Sequence, residues 1–288
     1  MKCNRTSEVI SWKQMFLRSI IFSIPVICLL LSHGNLCAAD LKGTIKIGGT
    51  GTALGSFKEL SEAFKKIHPE VNFVILPSLG SGGGIKAVNE GALDIGLSSR
   101  PLKETEMQPG AVAVEYARTP FVFATAMKTE GTNYTLMDIA KIFSGEIKTW
   151  PDGTPIRLVL RPESDMDTVI QKGMSPEMDK AVKKALSREG MMVAATDQES
   201  ADTMEKVRGA IGTSTLAQII SEKRNLNSIV LNGVMPDMKS LADGSYKYYK
   251  TLFIITGPKS VAVTNSFIEF IKSKEGRAIL TKSGHLPL

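Results

Sequence analysis

The sequence predicts an α/β fold of two lobes, and three observations carry that prediction. Strand, glycine-rich loop and helix follow one another twice between residues 44 and 93, the repeat that builds a parallel sheet. Apolar strand patterns go on alternating with helical ones to the end of the chain, with no internal repeat or low-complexity segment after the leader. Two runs, 120–127 and 249–256, are long enough to cross from one lobe to the other and back. A chain of 288 residues, 43% hydrophobic and 22% charged, has ordinary globular composition and a length suited to roughly two domains.

Residues 1–39 read as a signal peptide. Lys2, Arg5, Lys13 and Arg18 form a basic n-region, 19–32 is a short apolar stretch, and Cys37-Ala38-Ala39 offers small residues for cleavage before Asp40. The apolar stretch is short for a membrane anchor and contains Pro25. Leu36 stands where a lipid-attachment motif would place a small residue before its cysteine, so simple cleavage and a soluble periplasmic product are expected. Cys3, Cys28 and Cys37 then leave with the leader, and with them any disulfide, thiol nucleophile or thiolate metal site. The leader's four basic residues and Glu8 carry +3 of the formal +6, which leaves +3. That charge gives no case for nucleic acid and modestly favours a small anion.

Taken in order, 44–48 is a short strand and 49–55 a loop of glycines and hydroxyls, Thr50, Gly51 and Thr52 among them. Phe57, Leu60, Phe64 and Ile67 recur at helical spacing until His68-Pro69. Residues 71–76 form a second strand, which opens into Ser81, Gly82, Gly83 and Gly84 and a helix over 85–93. Glycines between a strand and a helix leave amide groups uncovered at the positive end of the helix dipole, a place that binds anions; a plain strand-to-helix turn has the same composition. A third strand, 93–97, delivers Ser99 and Arg100 to the same edge of the sheet, where α/β folds form their binding crevice. Arg100 also fits a solvated surface cation. The spacing Gly49, Gly51, Gly55 misses the dinucleotide fingerprint by one residue.

Helix 136–143, turn 147–153 and strand 156–160 lead to a loop from Arg161 to Thr168. A helix-rich region runs to about residue 222 with a strand and glycine loop over 209–215, followed by a strand at 228–232. Helices over 261–274 and on to 283 close the chain. The expected division is lobe 1 over 40–125 and 250–288, and lobe 2 over 126–249.

The stretches 80–86, 94–98, 142–150, 211–212 and 231–236 together resemble the phosphate-binding proteins of bacterial ABC importers, members of the type II periplasmic-binding-protein fold. The resemblance spans essentially the whole chain after the leader. It implies two α/β lobes, each with a mostly parallel central sheet flanked by helices, and a cleft between them that holds a tetrahedral oxyanion. It also implies a monomer that delivers its ligand to a membrane permease, without cofactor or metal. Carried over, the first-loop hydroxyls are Thr50–Thr52, the second-loop serine is Ser81 beside Gly82, and the arginine opening the second-lobe anion loop is Arg161, with Ser164 and Thr168 in that loop. Two departures stand out. Ser99 occupies the place of an aspartate that accepts a proton from protonated phosphate in the family. The glycines and hydroxyls after Arg161 become Pro162, Glu163, Ser164, Asp165, Met166 and Asp167, leaving Arg161 and Thr168 as the clear survivors, and the three carboxylates repel an anion unless they point away or pair with Arg100, Arg161 or a lysine.

Two other function classes compete with a phosphate carrier. An exported hydrolase lacks a Gly-x-Ser-x-Gly elbow, and His68 and His285, the imidazoles beyond the leader, are expected at the surface. No His, Asp or Glu cluster has zinc spacing, and Asp165 and Asp167 are expected in a solvated loop. A carrier of another solute, or a sensor that transports nothing, draws its support from the altered Arg161–Thr168 loop.

Overall fold

The computed structural model describes residues 41–128, 133–258 and 260–288. The leader expected over 1–39 lies outside them, and no described helix is long and apolar enough to cross a membrane.

The chain starts with β1 (Gly43–Gly49), α1 (Gly51–Ile67), β2 (Val71–Ile75), α2 (Gly80–Asn89) and β3 (Ile95–Ser98), and β1 pairs in parallel with both β2 and β3. Phe57, Leu60 and Phe64 recur on one face of α1 and are buried against Phe267 and Phe270 of a later helix. The Phe64 and Phe267 rings meet edge to face at 5.2 Å. Truncating one such ring would cost about 3–5 kcal/mol, so this aromatic cluster anchors the first half.

β4 (Val112–Thr125) follows, 14 residues long and the spine of the molecule. It begins well before the apolar run at 120–127, because the polar-alternating stretch 112–119 is paired on β11 (Tyr249–Thr256). Up to Pro120 β4 runs antiparallel to β11, and from Phe121 it runs antiparallel to β8 (Ala210–Thr215). Pro120 sits at this handover, where a missing N–H is tolerated.

The second half adds β5 (Asn133–Tyr134), α3 (Leu136–Ser144), β6 (Arg157–Leu160), α4 (Met166–Met174), α5 (Pro176–Leu186), β7 (Met192–Val193) and α6 (Asp197–Lys206). After β8 come α7 (Leu216–Ser221), β9 (Asn227–Ser228), β10 (Val230–Leu231) and α8 (Met238–Ala242). β6 pairs in parallel with β7 and β8. Its core gathers Phe123, Phe143, Trp150, Met178 and Ile211, separate from the aromatic cluster of the first half. After β11, α9 (Ala262–Lys272), α10 (Lys274–Lys282) and β12 (Leu286–Pro287) pack back on the first half.

Four local expectations change. The glycines expected as a loop before a helix over 85–93 are themselves helical, since α2 runs Gly80–Asn89. The loop expected over 49–55 is already helix from Gly51, because Gly51 and Gly55 mark a close approach and not a turn. A Cβ on Gly55 would stand 2.2 Å from Ser221 Oγ of α7, and one on Gly51 would stand 2.7 Å from Asp197 Oδ2 of α6. The strand expected over 228–232 is split into β9 and β10, since Ser228 pairs with β4 while Val230 pairs with β5. His285, expected at the surface, is fully buried against the Tyr116 ring, its centroid 6.5 Å away. With both ring nitrogens unpartnered, burial pushes its pKa down to about 3.

Candidate functional site

Strands β1 and β3 and helix α2 bring their ends to one side of a cavity of about 420 Å³, and the loop entering α4 closes the other side. Thr50, Ser81, Gly82, Ser99, Arg100 and Ser164 line it. Gly51, Thr52, Arg161 and Thr168 do not. Thr168 is turned into the protein, its hydroxyl donating to the Arg161 carbonyl at 3.1 Å.

The α2 end of the cavity is built from backbone. Gly84 lets the helix press onto β1, where a Cβ would lie 2.7 Å from the Gly49 Cα. The helix has no side-chain cap and no acidic residue in its first turn. Its first N–H groups therefore have no partner within the helix, and the positive end of its dipole faces the cavity. The Ser99 N–H donates to Ser81 Oγ at 2.9 Å, which leaves the Ser81 proton free to point elsewhere. Ser99 Oγ lies 2.8 Å from Thr50 Oγ1. Hydroxyls and amides thus dominate this wall.

Arginines are spent on carboxylates. Arg100 is not the solvated cation considered above: it forms a two-pronged pair with Glu106 at 2.6 and 2.7 Å, and Glu106 also accepts the Lys103 N–H at 2.9 Å. Arg100 above all, then the Lys103 amide, hold the Glu106 carboxyl down at about 2 against the effect of burial. Arg161 donates to Asp165 at 2.8 Å and to the Ala194 carbonyl at 2.9 Å. Asp165 in turn caps α4 by accepting the Asp167 N–H at 2.9 Å.

Asp167 is also not in a solvated loop. It is 1% exposed, accepts from the Thr213 hydroxyl at 2.7 Å, and is ion-paired with Lys250. Burial pushes the Asp167 pKa up against the pull of Lys250. For Lys250, burial works downward, but Asp167 and Asp197 outweigh it and raise the ammonium pKa. Glu163, the remaining carboxylate of the loop, is exposed and reaches Lys172 at 3.3 Å. The acidic loop therefore pairs off its own charges.

Asp197, the first residue of α6, completes the cluster. Its Oδ2 accepts the Thr52 N–H at 3.1 Å and the Thr50 hydroxyl at 3.5 Å, and its Oδ1 lies 3.3 Å from Lys250 Nζ and 3.8 Å from Arg161 Nη2. Burial alone would raise its pKa; Lys250 first and then Arg161 overcome that and hold it below the usual carboxylate range. Arg161, Lys250, Asp165, Asp167 and Asp197 sum to −1, Arg100 with Glu106 to zero, and the exposed Lys103, which also lines the cavity, adds +1, so the formal charges balance. An anion in this cavity is met by amide and hydroxyl dipoles, not by excess positive charge.

Sequence reasoning missed Glu106, Asp197 and Lys250. Lys250 had a signal, since a lysine inside the otherwise apolar run 249–256 needs a buried partner. Asp197 had a weaker one, since acidic residues are common in the first turn of a helix.

A family model described as a PBP superfamily domain matches residues 38–275. The phosphate-binding protein PstS of Borreliella burgdorferi is 26% identical over 256 residues, 86% of this chain and 91% of that protein. PstS of Bacillus subtilis is 25% identical over 257 residues, 85% of this chain and 81% of that protein. A phosphate-bound putative substrate-binding protein of a phosphate ABC transporter from Clostridium perfringens has a similar fold, with a TM-score of 0.71 at 24% identity, covering 85% of this chain and 100% of that one.

Proposed function

Because the chain belongs to the PBP superfamily, we propose that it is an exported solute-binding protein that captures inorganic phosphate between its two lobes and hands it to the permease of an ABC importer. The observation that carries this reading is the uncapped N-terminus of α2, opening with Ser81 and Ser99 into the cavity. Phosphate offers acceptor oxygens on every side, and helix amides with hydroxyls supply donors for them. The names of the PstS relatives support the same ligand. Sequence and cavity together favour binding without turnover: among the described residues that line the cavity there is no histidine or cysteine, and the Asp197 carboxylate beside Thr50 is already paired with Lys250. Export through the leader over 1–39 would place the protein in the periplasm as a monomer, with lobe 1 over 40–125 and 250–288 and lobe 2 over 126–249.

The near-balanced charge has a consequence for mechanism. Binding strength comes from many short charge-assisted hydrogen bonds in a site screened from water, so it should depend weakly on ionic strength. The direct experiment is calorimetric titration of the leader-free protein, stripped of ligand by unfolding and refolding, with phosphate, sulfate, arsenate and molybdate. One-to-one binding of phosphate ahead of sulfate is the expected result. Silence toward all four anions would discard the phosphate reading.

A further inference from the structure

We propose that Asp197 is a resident anion: its carboxylate occupies the N-terminus of α1 where an oxyanion would otherwise sit, and so confines the solute to the N-terminus of α2. This rests on reading the cavity as an anion site.

The donors around the Asp197 carboxylate are those that a bound oxyanion collects: a helix amide from Thr52, the hydroxyl of Thr50, the ammonium of Lys250 and the guanidinium of Arg161. They come from different elements, and the carboxylate is delivered from 145 residues away along the chain. Helix α1 supplies no acidic residue to its own first turn, and Thr50 does not cap it with its side chain. The terminus would be as open as that of α2 without Asp197. Room for the carboxylate is built into α1 as well. Any side chain on Gly51 would put a Cβ 2.3 Å from Gln198 Oε1, 2.7 Å from Asp197 Oδ2 and 2.8 Å from Asp197 Cβ, so the space serves both residues at the start of α6. Gln198 seals the contact by donating to the Gly51 carbonyl at 3.1 Å. Asp197 also lines the cavity, so its charge bears on whatever anion enters. A carboxylate already seated at α1 makes a second anion there unfavourable, because like charges in a buried site repel by several kcal/mol.

The test is to vacate the seat and offer it a free carboxylate. Asp197→Ala and the unaltered protein are melted in increasing sodium formate, with sodium chloride as the control for ionic strength. Formate should raise the melting temperature of Asp197→Ala over the chloride control by about 3 °C for each tenfold rise in concentration, and leave the unaltered protein where chloride leaves it. An equal response of the two proteins overturns the proposal. Should Asp197→Ala fail to fold, Asp197→Asn keeps an acceptor for Thr52 and drops the charge. Its affinity for phosphate, by calorimetry, should then rise about tenfold, and an unchanged or weakened affinity overturns the proposal. The formate arm contains no phosphate, so a protein that ignores phosphate altogether can still pass or fail it.

Discussion

Helices α1 and α2 both begin on a glycine, both follow a strand of the same parallel ladder, and neither carries an acidic residue in its first turn. At α1 the exposed amides meet Asp197 at 3.1 Å, and at α2 they meet the cavity. The dipole and the unsatisfied N–H groups are common to both. What differs is the neighbour: α6 brings a carboxylate to one, while the loop at Ser164 leaves space beside the other. A helix terminus by itself therefore does not define a binding site. The opposing half of the molecule decides which of two similar termini is free.

Removing the cation that serves the filled terminus should have the largest effect. Lys250→Met would leave Asp167 and Asp197 buried with one cation between them, and a loss of about 3–5 kcal/mol is expected in urea melts. Giving the open terminus its own carboxylate erases the contrast. A Cβ on Gly82 meets nothing nearer than Arg100 Nη2 at 3.8 Å, so Gly82→Asp should fold and lose phosphate affinity by about a hundredfold or more in calorimetry.

Acid tests a group remote from both termini. His285 has its pKa depressed from 6.5 to about 3, so between those values the unfolded chain binds a proton that the folded protein refuses. Stability should fall as pH drops, by about 2 kcal/mol from pH 6.5 to about pH 5, and His285→Phe should flatten that slope in melts across the range. Phosphate affinity, corrected for folding, should not follow it. The smallest effect is at the open terminus itself: Ser81→Ala removes one hydroxyl donor and should weaken phosphate about tenfold in calorimetry, with a modest fall in melting temperature because the Ser99 N–H loses its acceptor.

Much of this fold was legible because its signals are local. The spacing of Phe57, Leu60 and Phe64 marks α1, and the glycine stretch 80–84 signals a helix close by, although the helix takes the glycines in and ends at Asn89. The pairing of charges was not legible, because it depends on which residues meet across long separations. Arg161 looked like a ligand for the solute, but it is turned toward Asp165 and Ala194. Gly51 looked like a piece of binding loop; its lack of a side chain serves the approach of a residue 146 positions later, a fact invisible until α6 is placed. Ser81, Ser99 and Ser164 do line the cavity, because each stands close to an element end on that side of the sheet.

β4 and β11 are knitted together from Val112 to Pro120 and from Tyr249 to Thr256, and β4 then continues unbroken into the ladder with β8. The two halves therefore share a continuous sheet where many two-part proteins have a slack tether. The ladder is not uniform: its register shifts between Leu252 and Phe253, opposite Tyr116, so one irregular step lies within the strand pair that both halves share.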